Sequence, residues 1–164
     1  MKRRKVLRLA AVSSAALFVL RGRLARAEVS ASTAKALAEA KLIYVATRRK
    51  DGGRSEAAPI WFSYDQGDVF FTTSPESWKA RRIAAGSPVY IWVGSEEGPF
   101  LMGQAERIDD PKVVEQMGKL YEDKYWIAWM GLFRPRSDRV TAGKTIAYRV
   151  KVTEGTPPPP SAKS

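Results

Sequence analysis

The chain has 164 residues, the length of one folded domain, and its 45% hydrophobic and 27% charged residues are enough for a core and a soluble surface. The net charge is +11, but eight of the 28 Lys and Arg residues fall within residues 1–27, which hold no acid. The remaining 20 face 17 acids, so the chain from Glu28 carries only +3. Without a basic stripe interleaved with aromatics, that balance argues against nucleic-acid binding. The sequence has neither Cys nor His. This excludes disulfides, a thiolate nucleophile, Cys-ligated metal, a Ser-His-Asp hydrolase and His-ligated haem. Any chemistry here is expected to come from a bound cofactor.

Residues 1–27 read as a leader. A basic start, Lys2 to Lys5, precedes a mainly apolar run from Leu9 to Leu20, and Ala25-Arg26-Ala27 offers small residues around a cleavage point before Glu28. The run is too short for a spanning helix, which needs ~20 apolar residues, so no stable membrane anchor is expected after cleavage. Arg3-Arg4-Lys5-Val6-Leu7-Arg8 resembles the twin-arginine signal. Export to the periplasm by that route is the expectation, with an ordinary secretory leader as the alternative.

The folded domain is expected over residues 28–153. Ser30 to Lys41 is Ala-rich and predicts a helix capped by Ser32 or Thr33. Leu42 to Thr47 predicts a strand, Lys50-Asp51-Gly52-Gly53 a hairpin turn, and Ser55 to Tyr64 the returning strand. A second turn at Asp65 to Asp68 leads into a third strand, Val69 to Thr73, so that three strands form a meander. Ser74-Pro75-Glu76 then predicts a helix with Ser74 as cap and Pro75 first, ending near Gly86. Pro88 to Val93 and Gly98 to Ile108 predict strands. Asp110 and Pro111 start a helix running to about Tyr125, and Thr145 to Val152 closes the sheet. Residues 154–164, with four consecutive prolines, predict a flexible, extended, solvated tail.

Six β-runs, broken by a helix after the third and a longer one after the fifth, follow the order of a split barrel. Between Gly52 and Val93 the segment GGRSEAAPIWFSYDQGDVFFTTSPESWKARRIAAGSPVYIWV is similar to the pyridoxamine 5′-phosphate oxidase superfamily, as is Gly103-Gln104-Ala105-Glu106-Arg107 after it. The resemblance covers Leu42 to Val152. It implies a mainly β fold with helices, a six-stranded split β-barrel of the FMN-binding type, working as a homodimer.

The resemblance further implies that Thr72, Thr73, Ser77 and Lys79 hold the FMN phosphate, with Arg82 close by. The backbone of Ala58, Pro59, Ile60, Trp61 and Phe62 would flank the isoalloxazine ring, and Gln104 and Trp126 complete the candidate set. The physics agrees: a phosphate needs cations and unpaired donors, and a helix N-terminus supplies orphan N–H groups. The alternative is a capped helix with solvated cations. The family often places Arg where Ala57 or Ala58 stands, and another where Trp78 stands; Arg81, Arg82, Arg48 or Arg54 are the candidates to compensate. The Arg-x-His of a true pyridoxamine phosphate oxidase is impossible without His, so that specific activity is rejected.

Trp61 and Trp92 are expected in the strand core. Trp126 and Trp129 are candidates for an interface or ligand-covering loop, and Arg134, Arg136 and Arg139 for anion contacts or a solvated loop. The leading reading is an exported FMN-dependent oxidoreductase acting on a small-molecule substrate. The alternative is a non-catalytic module that binds or sequesters a flavin or deazaflavin. No catalytic residue and no metal site is assigned.

Overall fold

The computed structural model describes residues 29–125 and 134–161. The leader and the Trp126–Trp129 segment lie outside these residues.

Helix α1, Ala31–Glu39, is capped by Ser30, whose Oγ accepts from the Thr33 amide at 3.3 Å. The cap is therefore neither Ser32 nor Thr33; Thr33 is buried instead. The strands are β1 (Ile43–Thr47), β2 (Ala58–Ile60), β3 (Phe62–Asp65), β4 (Asp68–Thr73), β5 (Val89–Val93), β6 (Phe100–Gly103), β7 (Ala105–Ile108), β8 (Ile146–Lys151) and β9 (Thr153–Glu154). They form two antiparallel sheets, ordered β2-β1-β5-β6-β9 and β3-β4-β8-β7.

Eight of these segments are the six predicted β-runs, two of them bent, and β9 adds a short strand beyond the predicted end at Val152, where the tail was expected to begin at residue 154. The chain leaves one sheet for the other at Trp61, at Gln104 and at Val152. Sharing strands in this way joins the sheets into a split barrel. It also overturns the predicted meander, because the Ser55 to Tyr64 run contributes β2 to one sheet and β3 to the other. Alternation sorts the side chains as a pleated strand requires. Ile43, Val45, Phe62, Val69, Phe71, Ile91, Leu101 and Val150 fill the interior, with Leu37 of α1 packed against them. The β3–β4 hairpin turns through Gln66 and Gly67, both at positive φ (48° and 85°), the geometry of a tight two-residue connection.

Helix α2, Trp78–Ala84, starts later than its sequence signals suggest. Ser77, not Ser74, is the cap: its Oγ accepts from the Ala80 amide at 3.1 Å. Ser74-Pro75-Glu76 is instead a turn, closed by Ser77 N–H donating to the Ser74 carbonyl at 3.1 Å. Pro at its second position suits a turn as well as it suits a helix start. Helix α3, Pro111–Lys124, begins as predicted, with Asp110 Oδ1 accepting from the Lys112 amide at 2.9 Å. Val114 and Met117 pack with Ile108, Ala147 and Phe70 on the outside of the second sheet. Helix α4, Ser137–Thr141, adds Val140 to that cluster.

The Pro-rich tail is extended and mostly exposed along its described residues. Its backbone pairs with Arg54, an attachment the composition does not reveal.

Candidate functional site

Strand alternation divides the predicted phosphate residues. Thr73 points to α2, where its Oγ1 lies 3.1 Å from Ser77 Oγ. Thr72, one residue back, faces the other way and lines a cavity of about 270 Å³ with Ile60, Trp61 and Tyr121. The two threonines therefore do not share one site within the chain.

The Thr73 side opens on a second cavity, about 480 Å³, lined by Val45, Thr47, Arg49, Ser55, Glu56, Ala58, Ser77, Trp78, Lys79 and Arg82. Most of its hydroxyls are already engaged. Ser55 Oγ accepts from the Thr47 amide and donates to the Glu56 carbonyl. Thr47 Oγ1 accepts from Arg82 Nη1 at 3.4 Å. Ser77 Oγ accepts the Ala80 amide, and the Thr73–Ser77 bond consumes one of that pair's two hydroxyl protons, leaving one to donate. The cap also removes one of the N–H groups that the start of α2 was expected to offer.

What remains is three cations, Lys79, Arg49 and Arg82, and one carboxylate, the exposed Glu56. Lys79 is half-buried, and burial pushes its pKa below the ordinary lysine value. No carboxylate among the described residues lies within ion-pair distance of Lys79, Arg49 or Arg82, and Asp51 attracts Arg49 only from further off. An ammonium withdrawn from water without a counter-ion is costly, and an anion entering the cavity relieves the cost. Arg49 was missing from the sequence reading. The hairpin brings it here through its N–H, which donates to the Gly53 carbonyl at 2.8 Å; the run Arg48-Arg49-Lys50 beside a strand end was the available signal.

A wider basic cleft of about 810 Å³ adjoins this cavity and shares Arg49, Trp78 and Arg82 with it. Arg48, Lys50, Asp51 and Arg81 complete its charged lining. Trp78 stands where the resemblance expects an Arg. It is 68% exposed and carries the Arg81 and Arg82 guanidinium groups at 5.1 and 5.8 Å from its ring. Of the compensating cations proposed from sequence, Arg48, Arg81 and Arg82 reach the cleft. Arg54 instead packs over the Trp92 ring at 4.9 Å.

The Ala58 to Phe62 stretch is divided too. Ala58 and Pro59 are exposed on β2, the edge strand of the first sheet. Trp61 is not a strand core residue: it sits at the bend, stacked on Tyr125 with centroids 4.4 Å apart. Trp92 is buried on a strand as expected. Phe62 is fully buried and both its backbone groups face the Tyr125 hydroxyl, so it has no free donor for a ring. Tyr121 hydroxyl donates to the Trp61 carbonyl at 2.7 Å, a role no sequence pattern announced. Gln104 is exposed at a bend and lines none of these cavities. Trp126 lies outside the described residues. Arg134 pairs with Glu122 and Glu115, and Arg136 with Asp138, so both are engaged within the chain, and Arg139 lies in helix α4 rather than in a loop.

The leftover donors fit a phosphate: three cations of mixed geometry, one spare hydroxyl proton and a half-buried wall. No cluster of His, Cys, Asp or Glu among the described residues is suited to a metal ion. The fold is similar to that of the FAD and heme binding protein from Mycobacterium smegmatis, at 22% identity and TM-score 0.54, covering 81% of this chain and 75% of that one. It is also similar to HutZ, the heme storage protein from Vibrio cholerae, at 16% identity and TM-score 0.53, covering 78% and 92%. General Stress Protein 26 from Bacillus anthracis aligns at 14% identity and TM-score 0.51, covering 73% and 84%. No curated protein matches the chain. Residues 29–156 match the family described as pyridoxamine 5′-phosphate oxidase, a span that contains both sheets and the Lys79 cavity, and the chain belongs to that family.

Proposed function

We propose that the chain is an FMN-dependent oxidoreductase acting on a small substrate, and that Lys79, Arg82 and Arg49 hold the flavin phosphate. The observation that carries this reading is Lys79: among the described residues, a half-buried ammonium with no carboxylate within ion-pair distance, in a cavity that Arg49 and Arg82 also line. Strand β2 runs from that cavity, at Ala58, to the one walled by Ile60, Trp61, Thr72 and Tyr121. The resemblance puts the ring along this strand. A bound flavin supplies the hydride chemistry, and the chain binds, orients and excludes water. Burial raises the Tyr121 phenol well above its usual pKa, so it stays neutral and keeps its proton on the Trp61 carbonyl.

The 810 Å³ basic cleft favours a second reading of the cofactor. FMN has a single phosphate, and a flavin or deazaflavin with further anionic groups would use the cleft as well. The same site without turnover gives a flavin-holding module. A His-ligated haem is not available to a chain with no His.

Export through the twin-arginine route to the periplasm belongs to the proposal and is supported by the leader sequence. The homodimer is supported by the family resemblance. The first test is the visible spectrum of protein purified from flavin-supplemented medium, before and after dithionite. A two-banded spectrum that bleaches supports the oxidoreductase. Bound flavin that resists reduction supports the holding module, and failure to bind FMN, FAD or deazaflavin overturns both.

A further inference from the structure

The segment after β9 has a specific attachment. Gly155 lies against the outer face of the first sheet, where a Cβ would stand 3.2 Å from Met102 Sδ and 3.7 Å from Phe100 Cε1. Four prolines follow. They supply carbonyl acceptors without leaving N–H groups unsatisfied, and their extended conformation is largely set before docking. The Arg54 amide donates to the Pro159 carbonyl at 3.0 Å, and the Ser161 amide donates to the Arg54 carbonyl at 2.9 Å. Arg54 Nε donates to the Pro158 carbonyl at 3.2 Å while its guanidinium rests on Trp92. Approach is close enough that a Cβ on Gly53 would fall 2.6 Å from Ser161 Cα.

The same attachment reaches the basic cleft. Ser161 Oγ donates to Asp51 Oδ1 at 2.7 Å, and the Gly53 amide donates to that oxygen at 3.0 Å. Asp51 is the one acid among the described residues lining the cleft, where it stands beside Arg48, Arg49, Lys50, Arg81 and Arg82. The Ser161 hydroxyl, more than any other group, holds the Asp51 carboxyl below its usual pKa.

We propose that residues 155–161 are a strap that docks on Arg54 and, through Ser161, holds Asp51 Oδ1 towards the strap, weakening the competition of this carboxylate with an anionic ligand for the cleft's cations. Asp51 already attracts Arg49, its neighbour two residues back, and released from Ser161 it is free to close on it as an ion pair. The strap thus sets anion affinity without touching the ligand. The inference rests on the anion-binding reading of the cleft, and extends it to a segment outside the barrel.

The test compares the full chain, a chain ending at Gly155, and the shortened chain carrying Asp51→Asn, each titrated with FMN. Shortening should weaken binding by about fivefold, the upper range for an exposed ion pair, and Asp51→Asn should restore it. Equal affinity of the full and shortened chains, or no recovery with Asp51→Asn, overturns the proposal. Amide exchange reads the strap without any ligand: the Arg54 and Ser161 amides should be protected in the full chain, and Arg54 should lose protection on shortening. Unprotected amides in the full chain overturn the strap even if FMN binds. Protected amides in a chain that binds no FMN would instead sink the proposed function and the strap's effect on it, leaving the attachment itself.

Discussion

The hydroxyl of Tyr125 accepts the Phe62 amide at 3.1 Å and lies 2.9 Å from the Phe62 carbonyl and 2.8 Å from that of Lys41. One side chain at the end of α3 thus satisfies the backbone where the chain crosses between sheets. Its ring stacks on Trp61, the residue at the crossing. Tyr125→Phe keeps the ring and strands a buried amide, so it should cost ~1–3 kcal/mol, read from urea unfolding.

Lys124, next in the chain, gives a pH signature. Burial, with Lys41 adding repulsion, lowers it from 10.5 to about 8. The unfolded chain keeps that proton to higher pH than the folded one. Stability is therefore depressed below about pH 8 and recovers as pH rises from there towards 10.5. The Tyr125 phenol, pushed up by burial to about 12, acts oppositely: above pH 10 the unfolded chain ionises first and stability falls. Denaturation midpoints should rise from about pH 8 to pH 10 and then drop, and Lys124→Met should flatten the rise.

The order of the six β-runs and the Asp110–Pro111 helix start were legible in the sequence, because alternation and capping act locally. The bends at Trp61, Gln104 and Val152 were not: an unbroken apolar run looks the same whether it stays in one sheet or changes to another. Ser74-Pro75 and Ser77 both offer helix starts, and the competition was decided by which serine reaches an amide three residues on. In the site, Lys79, Ser77 and Arg82 were legible as residues beside a capped helix. The period-two rule, applied to Thr72 and Thr73, already implies opposite faces. Arg49 and Tyr121 depend on hairpin register and on helix docking, which no local pattern carries.

Gly103 precedes the second bend, and a Cβ there would stand 2.1 Å from the Lys151 carbonyl. Neither backbone can yield without disturbing β6 or β8. Gly103→Ala should destabilise by about 1–3 kcal/mol or more, as overpacking does, with a lower thermal midpoint as the readout.

Lys79 sets binding against stability. Removing a half-buried cation without a partner relieves its desolvation, so Lys79→Met should leave the ligand-free protein as stable as the parent or more so. It should also abolish the stabilisation that added phosphate gives the parent. Melting curves with and without phosphate check both halves.

The most direct measurement is calorimetric titration with FMN and with riboflavin, which lacks the phosphate, on the parent and on Lys79→Ala. The parent should prefer FMN by about 10- to 100-fold, the worth of a charge-assisted hydrogen bond, and Lys79→Ala should erase the preference while still binding riboflavin as the parent does. Equal affinity of the parent for the two flavins, or an unchanged preference in Lys79→Ala, would contradict a phosphate site at Lys79.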